Sequence, residues 1–255
     1  MGAHFYDEFE VMGTVVTFDA YLSDDASDER VEAAYDAACK ELLRIDKTFS
    51  TYKEESEVSR FRAGALRISD LSGDVRNVLA ECSLARVLTD GWFDPWALPG
   101  GVDPTGYVKG WAGARALEAF VIEGMSGALV NAAGDIAMWG EPAPGAKFRI
   151  GVTDPLNGQT LLGVVEASGA VATSGLSERG DHLFNPTTQR WESAGVSATI
   201  VGPDLGLADA LATAVCIGGT DALALVENMA EYEGLFVSRT GDLVSTAGLA
   251  FSRLG

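Results

Sequence analysis

Two oxygen-bearing side chains, Asp209 and Thr213, interrupt an otherwise apolar segment at residues 206–214 (GLADALATA). Ala and Leu have high helix propensities, so the segment is predicted to be a helix, on which residues four apart lie on the same face. A carboxylate and a hydroxyl are oxygen ligands of the kind that Mg²⁺ prefers, and Mg²⁺ fills its remaining positions with water and substrate phosphate. The pair could therefore hold a magnesium ion beside a phosphate-bearing ligand.

A structural role explains the same two residues. Pro203 and two nearby glycines place the predicted start of the helix close to Asp209, where a negative charge suits the helix dipole. The hydroxyl of Thr213 could bond back to the carbonyl four residues earlier. From this segment alone, capping is the favoured interpretation, so support for a metal site must come from the rest of the chain.

The composition is that of a folded, strongly acidic protein. The chain has 255 residues, of which 47% are hydrophobic and 22% are charged, and its formal net charge is −19. Nucleic acids and anionic membrane surfaces require basic patches on their partners, so the charge argues against both. An anionic ligand must instead be held by local groups: backbone amides, a metal ion, or a single Lys or Arg.

Few residues are available for thiol or imidazole chemistry. The three cysteines, at positions 39, 82 and 216, fall within apolar helical patterns and lack the spacing of metal ligands. They are predicted to be buried free thiols. His4 lies near the N-terminus, which leaves His182 as the interior imidazole available to a mechanism.

The N-terminal residues bear on the compartment. No apolar run approaches the length of a membrane span, and the first residues (MGAHFYDEFEV) are too acidic for a signal peptide. The sequence as it stands predicts a cytoplasmic protein. An exported or membrane-anchored protein is the alternative if a leader has been removed.

Hydrophobic periodicity predicts strands and helices that do not alternate strictly. VVTFDAYL alternates like a half-buried strand, and helices are expected at about 27–47, after Ser72, at 107–124, around Asp209 and at 221–232. GALVNAAGDIAMWG is typical of a buried strand with a tight turn, several strands are expected over 147–201, and a hairpin-like segment ends the chain. This mixture favours an α+β fold, with mixed or antiparallel sheets flanked by helices, in one domain spanning 1–255.

Four irregular segments carry more polar residues than a structural loop needs. They are WFDPW with Asp94, VDPTGYVKG with Asp103 and Lys109, VNAAGDI with Asn131 and Asp135, and TSGLSERGDHLFNP with Asp181 and His182. Asx turns are the structural alternative for Asp103 and Asp135, and an exposed turn is the alternative for SERGD. Taken singly, each segment gives only weak support for a function.

Taken in order, these segments resemble the ApbE family of FAD:protein FMN transferases. The matching motifs are MGT at 12–14, FSTYKEESEVSRF, FDP, VDPTGYVKGWA, NAAGD, TSG followed by HLFNPTT, and ADALATA. No single motif is diagnostic, but their order and spacing match the family from about Val11 to the end of the chain. The resemblance implies an ApbE-like (T-fold-like) architecture and magnesium-dependent chemistry on FAD.

The resemblance also implies a set of ligands. Asp209 and Thr213 correspond to the Mg²⁺ ligands of the family, the Gly106 carbonyl to a third ligand, and Ala212 to a position that contributes in some members. His182 corresponds to the essential histidine and is the expected proton acceptor, which Asp181 would orient or assist. The implied FAD-binding residues include rings that can pack on the flavin or adenine and a lysine for phosphate. They are Met12, Tyr52, Trp92, Phe93, Asp94, Asp103, Lys109 and Leu183.

Three residues depart from the family pattern. Arg62 follows SRF where Asn is common, Asn185 stands where Asp is usual, and Ala133 replaces a glycine. The first bears most directly on activity, because a long cationic side chain could contact the adenine end of FAD or its phosphate differently.

The implied function is Mg²⁺-dependent transfer of FMN from FAD to a Thr or Ser hydroxyl of an acceptor flavoprotein, with release of AMP. The acceptors of the family carry a motif of the form Asp-x-x-Ser/Thr-Gly-Ala-Ser/Thr. Two alternatives stay open: a Mg²⁺-dependent FAD pyrophosphatase that yields FMN and AMP, and a non-catalytic FAD-binding protein, which Arg62 makes plausible. The oligomeric state is left undetermined by the sequence.

Overall fold

An antiparallel sheet lies at the centre of the fold. The computed structural model describes residues 4–23, 26–176 and 183–254. Within them the large sheet has eight strands, each antiparallel to its neighbours. In spatial order they are β1 (His4–Val11), β2 (Thr14–Leu22), β3 (Met125–Ala132), β4 (Asp135–Gly140), β7 (Ala170–Gly175), β10 (Gly195–Gly202), β11 (Glu233–Ser238) and β12 (Leu243–Ser245).

A smaller antiparallel sheet packs on one face of the large one. Its three strands, in spatial order, are β13 (Phe251–Arg253), β6 (Leu161–Ala167) and β5 (Phe148–Thr153). Side chains of β5 and β6 share a hydrophobic core with side chains of β4, β7 and β11. A short hairpin, β8 (Phe184–Asn185) with β9 (Arg190–Trp191), stands apart from both sheets.

Helices cover the opposite face of the large sheet. They are α1 (Asp28–Phe49), α2 (Glu57–Arg62), α3 (Gly73–Leu88), α4 (Thr105–Leu117), α5 (Leu205–Gly218) and α6 (Thr220–Glu227). The alternation of side chains along each strand separates the two cores. In β7, Val171 belongs to the core under the small sheet, whereas Ala170 and Ala172 belong to the core under the helices.

The predicted α+β class with antiparallel sheets flanked by helices is confirmed. Ser27 and Ser72 cap α1 and α3, the helices expected at about 27–47 and after Ser72. The helix expected at 107–124 is shorter, because α4 ends at Leu117 and a 3-10 turn follows at Glu118–Phe120. The sequence analysis did not predict β1, in which five of the eight residues are exposed and three of those five are carboxylates.

Two similar hairpin turns project from the large sheet. Met12 and Gly13 join β1 to β2 with φ of 55° and 72°, and Ala133 and Gly134 join β3 to β4 with φ of 54° and 91°. Positive φ at both central residues is the requirement of a two-residue turn that follows the twist of the strands. Ala133 meets it at a cost, because its Cβ crowds the backbone in this conformation.

Ala133→Gly is therefore expected to stabilise the protein by about 0.5–1 kcal/mol. The substitution relieves about 1–2 kcal/mol of strain in the left-handed conformation. This gain outweighs the loss of about 0.4–1 kcal/mol of stability caused by the greater freedom of glycine in the unfolded chain. Urea unfolding measures the difference. Ala143→Gly is the control, since Ala143 is exposed and outside the positive-φ region, and it should destabilise slightly. Equal effects of the two substitutions would contradict the strain at Ala133.

Candidate active site

A large cavity lies where the two hairpin turns, α4, α5 and β5 meet, with a volume of about 1200 Å³. The chain elements that form its wall are distant in sequence but adjacent in the fold. Most of the residues implied by the family resemblance line it: Met12, Tyr52, Trp92, Phe93, Asp94, Asp103, Gly106, Lys109, Leu183, Asp209 and Thr213. The fold thus brings together side chains from positions 12 to 213.

The other three implied residues are Ala212, Asp181 and His182. Ala212 is fully buried in the core under the helices, and its side chain carries no ligand atom. Asp181 and His182 lie outside the described residues. On either side of that gap, Gly175 and Leu183 both line the cavity.

Asp209 is not a helix cap. Asp204 caps α5, its Oδ1 accepting a hydrogen bond of 2.7 Å from the backbone N–H of Leu207. Asp209 lies one turn further along, with an exposed fraction of only 2%, and its Oδ2 accepts from the backbone N–H of Gly110 at 3.1 Å. The capping interpretation favoured by the local sequence is therefore wrong, and the carboxylate points at a neighbouring helix.

Close packing of α4 on α5 makes that contact possible. A Cβ on Gly110 would lie 2.4 Å from the carbonyl oxygen of Leu205, so only glycine allows the two backbones to approach this closely. In a regular helix the N–H of Gly110 bonds to the carbonyl of Gly106. The Asp209 carboxylate therefore meets α4 one turn after Gly106.

Thr213 and Gly106 adjoin each other at this junction. A Cβ on Gly106 would lie 3.5 Å from Oγ1 of Thr213 and 3.3 Å from the ring of Phe93. The Thr213 hydroxyl is 3.0 Å from that of Ser174 on β7. Asp209, Thr213 and Gly106 all line the cavity, and they carry a carboxylate, a hydroxyl and a backbone carbonyl.

This donor set fits a hard cation that takes few protein ligands. Among the described residues, no group of three or more His, Cys, Asp or Glu side chains is placed to hold a metal ion. A site that binds through its carboxylates alone is therefore not formed there. Mg²⁺ keeps several waters and substrate phosphate oxygens, so one carboxylate with two neutral oxygens suits it when a phosphate ligand is present.

A lysine links two buried carboxylates beside these donors. The Nζ of Lys109 is ion-paired with Oδ2 of Asp135 and lies 4.0 Å from Oδ1 of Asp209. Asp135 is fully buried, and its other oxygen accepts from the backbone N–H of Thr173 at 3.3 Å. Burial raises the pKa of Asp209, while the Lys109 charge and the Gly110 hydrogen bond partly oppose that rise. One ammonium for two carboxylates leaves an excess of negative charge that a cation would neutralise.

The sequence analysis placed Asp135 in one of the polar segments but gave it no role in the implied site. The NAAGD turn suggested an Asx role for it, but Asn131 performs that role, since its Oδ1 accepts from the N–H of Gly134 at 2.8 Å. The spacing of the motif gave no sign of the pairing with Lys109, because the two residues lie on different elements.

The raised pKa of Asp209 leads to a pH prediction for the metal-free protein. A carboxyl whose pKa is higher in the folded than in the unfolded protein contributes stability at low pH. That stability is lost as the pH rises through the folded pKa, which lies above the usual carboxyl value of about 4. Asp209→Asn keeps an oxygen for Gly110 and removes the titration. The melting temperature of the variant minus that of the parent should therefore increase with pH. A constant difference would contradict the predicted direction.

Two further acidic residues of the wall, Asp103 and Asp94, are held by neighbours. Asp103 accepts from the N–H and hydroxyl of Thr105 at 3.1 and 2.7 Å, which confirms the Asx role, and pairs with Arg62 at 3.4 Å. Asp94 pairs with Arg86 at 2.6 Å. Arg62 also donates to the carbonyl of Gly100 at 3.3 Å, so its guanidinium is anchored to the loop that carries Asp103.

The aromatic residues differ in their freedom to meet a ligand. Phe93 is 4% exposed, and the ring of Trp92 lies so close to Gly218 that a Cβ there would be 2.6 Å away. Tyr52, in contrast, is 90% exposed at the cavity wall. Two rings are therefore fixed by packing, and one is free to reorient onto a bound ring.

Asn185 has a local structural explanation. It is buried, and its Oδ1 accepts from the N–H groups of Thr187 and Thr188 at 2.9 and 3.3 Å in the turn between β8 and β9. An Asn oxygen serves this turn as well as an Asp oxygen does.

The cysteines are buried free thiols, as predicted. Burial raises the pKa of Cys82 to about 12, with a further contribution from the charge of Asp209, and burial likewise raises the pKa of Cys216 to about 12. Neither is poised to act as a nucleophile. In the described part of the chain, every helix is too short or too polar to cross a bilayer.

The fold and the cavity define an α+β protein whose site lies between a central sheet, its two hairpin turns and a close pair of helices. Its sequence matches the model of the ApbE family over residues 12–100 and 97–236, so the chain belongs to that family. No curated protein matches it in sequence.

Solved structures show the same fold. The flavin transferase ApbE from Vibrio cholerae superposes with a TM-score of 0.81 at 19% identity, over 97% of this chain and 98% of that one. The ApbE protein from Thermotoga maritima gives 0.83 at 23% identity, over 96% and 97%. The apo flavinyl transferase ApbE from Pseudomonas stutzeri gives 0.78 at 22% identity, over 96% of both chains.

Proposed function

We propose that this protein is a Mg²⁺-dependent FAD:protein FMN transferase, acting as a single domain over residues 1–255. It transfers FMN from FAD to a Thr or Ser hydroxyl of an acceptor flavoprotein and releases AMP. The observation that carries the proposal is the buried Asp209 beside Thr213 and Gly106, in the same cavity as the implied flavin residues. Membership of the ApbE family and the fold shared with flavin transferases support it.

Binding of FAD divides among three kinds of groups. Asp209, Thr213 and the Gly106 carbonyl would hold Mg²⁺ at the pyrophosphate, and Lys109 adds a positive charge for a phosphate oxygen. Tyr52, free to reorient, would close on a ring of the bound dinucleotide. The other proposed contacts are Met12, Trp92, Phe93, Asp94, Asp103 and Leu183, and Ala212 lies beside the metal ligands.

The proposed chemistry is a displacement at the FMN-side phosphorus. The acceptor oxygen forms a bond to that phosphorus, the bond to the bridging oxygen breaks, and AMP leaves with the electron pair. Mg²⁺ held by Asp209, Thr213 and Gly106 would supply positive charge against the charge that develops on the phosphates. His182 takes the proton of the attacking hydroxyl, and Asp181 orients or assists it.

One experiment separates this function from its alternatives. Purified protein is incubated with FAD and Mg²⁺, with and without a synthetic peptide carrying Asp-x-x-Thr-Gly-Ala-Thr, and AMP and peptide mass are measured. AMP that forms together with a flavinylated peptide supports transfer. AMP without peptide supports an FAD pyrophosphatase, and intact bound FAD in both cases supports a non-catalytic FAD-binding protein.

His182→Gln is expected to slow transfer by about 10²-fold while FAD affinity stays near that of the parent. The effect lies at the low end for general-base catalysis, because a loose phosphoryl-transfer transition state needs little deprotonation of the nucleophile. Single-turnover transfer and FAD titration measure the two quantities. Equal losses of affinity and rate would point to a structural histidine instead.

A further inference from the structure

The small sheet ends in a strand with a free edge. In the part of the chain that the structure describes, β5 is the outer strand of the order β13-β6-β5 and pairs with β6 alone. An outer strand offers a row of backbone N–H and C=O groups to any chain that can lie beside it. Extended peptides commonly bind proteins in this way, by adding a strand to an exposed edge.

The pairing of β6 shows which of its groups face β13. Glu166 donates its N–H to the carbonyl of Ala250 at 3.1 Å, and Leu254 donates to the carbonyl of Leu162 at 2.9 Å. Backbone groups alternate in direction along an antiparallel strand. The even-numbered residues of β6 therefore bond towards β13, and the odd-numbered residues bond towards β5.

The register then identifies the outward groups of β5. Ile150 lies opposite Val165, an odd-numbered residue, so its backbone groups bond inward to β6. Arg149 and Gly151 lie opposite even-numbered residues, which face the other way. The N–H and C=O groups of Arg149 and Gly151 are therefore directed at the free edge.

This free edge borders the cavity. Four consecutive residues of β5, at positions 150–153, line it. Successive side chains of a strand point to opposite faces, so consecutive lining residues mean that the strand meets the cavity along its edge. The edge that meets the cavity is the one away from β6.

The cavity and its surroundings suit a polypeptide as the occupant. Its volume of about 1200 Å³ exceeds the roughly 300–1,000 Å³ typical of sites for one small molecule, which leaves room for a second reactant. Lys147 and Arg149 are exposed on and beside β5, in a chain whose net charge is −19. Glu166 lies directly opposite Arg149 on β6, so both charges are present beside this edge, and the outward backbone groups of β5 carry the recognition of an extended chain.

We propose that the acceptor polypeptide binds as an additional β-strand along the free edge of β5, a placement that rests on the proposed transfer function. The outward groups of Arg149 and Gly151 bond to alternate residues of the acceptor. The acceptor hydroxyl then enters the cavity that holds Asp209 and Thr213. The side chains of the residues immediately before and after it in the acceptor strand point away from the cavity.

Amide exchange on the unaltered protein tests the placement directly. The probe is the acceptor peptide with its modified Thr replaced by Ala, added to protein that already holds FAD and Mg²⁺, so that protection by FAD is subtracted. The amides of Arg149 and Gly151 should exchange about tenfold more slowly when the peptide binds, and the amide of Ile150, already bonded to β6, should change little. In a series of reactive peptides that each carry one N-methylated backbone amide, flavinylation should be reduced when the methyl group is at every second position.

A pair of variants at Gly151 adds a kinetic test. Gly151→Pro removes the outward donor and should raise the KM for the peptide by about tenfold, with a smaller change in kcat. Gly151→Ala keeps the donor and should raise it by less than about threefold, since its Cβ displaces only the Leu161 side chain, 3.1 Å away. Thermal melting of each variant shows whether it is folded.

The outcomes distinguish this placement from the function on which it rests. Flavinylated peptide without protection at Arg149 and Gly151, and without alternation in the N-methyl series, overturns the β5 placement and leaves the transferase function intact. Failure of the unaltered protein to flavinylate any peptide or acceptor with FAD and Mg²⁺ overturns both.

Discussion

Asp209→Asn is expected to reduce Mg²⁺-dependent release of AMP from FAD by about 10³-fold, equivalent to about 4 kcal/mol of transition-state stabilisation. Asp209 is the carboxylate of the proposed donor set, and an amide oxygen lacks the charge that binds Mg²⁺ tightly. The variant keeps an oxygen to accept from the N–H of Gly110 and leaves the ion pair of Lys109 with Asp135 in place. The loss should therefore come without unfolding, and a Mg²⁺ titration of AMP release measures it.

Thr213 provides the matched control. Thr213→Val keeps the shape and removes the hydroxyl, so the Mg²⁺ concentration required for half-maximal activity should rise. Thr213→Ser keeps the hydroxyl and should restore the requirement of the parent. If AMP release by Asp209→Asn depends on the Mg²⁺ concentration as it does in the parent protein, the metal binds elsewhere.

Lys109→Met is expected to destabilise the protein by about 3 kcal/mol, or about 6–12 °C in melting temperature. The substitution leaves Asp135, which is fully buried, without its ion-pair partner and also removes the nearest cation from Asp209. The expected value is at the low end for breaking a buried pair because the lysine side chain is 35% exposed and therefore partly solvated. Urea unfolding without Mg²⁺ measures the loss.

The double variant Lys109→Met with Asp135→Asn identifies the cause. The amide introduced at position 135 carries no charge, and its oxygen can still accept from the N–H of Thr173, so most of the lost stability should return. If the double variant is as unstable as the single one, the loss comes from packing of the lysine stem and not from unpaired charge.

Local structure followed closely from local sequence. Ser27 and Ser72 accept from the N–H groups of Arg30 and Val75, as capping residues do, and the glycines of both hairpin turns have the positive φ that such turns require. The ends of longer helices were less predictable. The apolar periodicity after Leu117 continues in sequence, but the chain turns there into β3.

The site was only partly predictable. The order of motifs named eleven residues that the fold places on one cavity wall. The local sequence favoured the wrong role for Asp209, because a carboxylate near the predicted start of a helix is typical of a dipole interaction. The partner that decides against capping is Gly110, 99 positions away.

By itself the sequence determined most of the elements, the alternation that divides their side chains between two cores, the excess of negative charge and the family. These depend on residue type and spacing over a few turns of chain. Only the tertiary structure decided that Asp209 faces α4, that Lys109 pairs with Asp135, and that the free edge of β5 borders the cavity. Those contacts join residues on different elements, and the free energy that selects them comes from packing whole helices and sheets together, which no local pattern records.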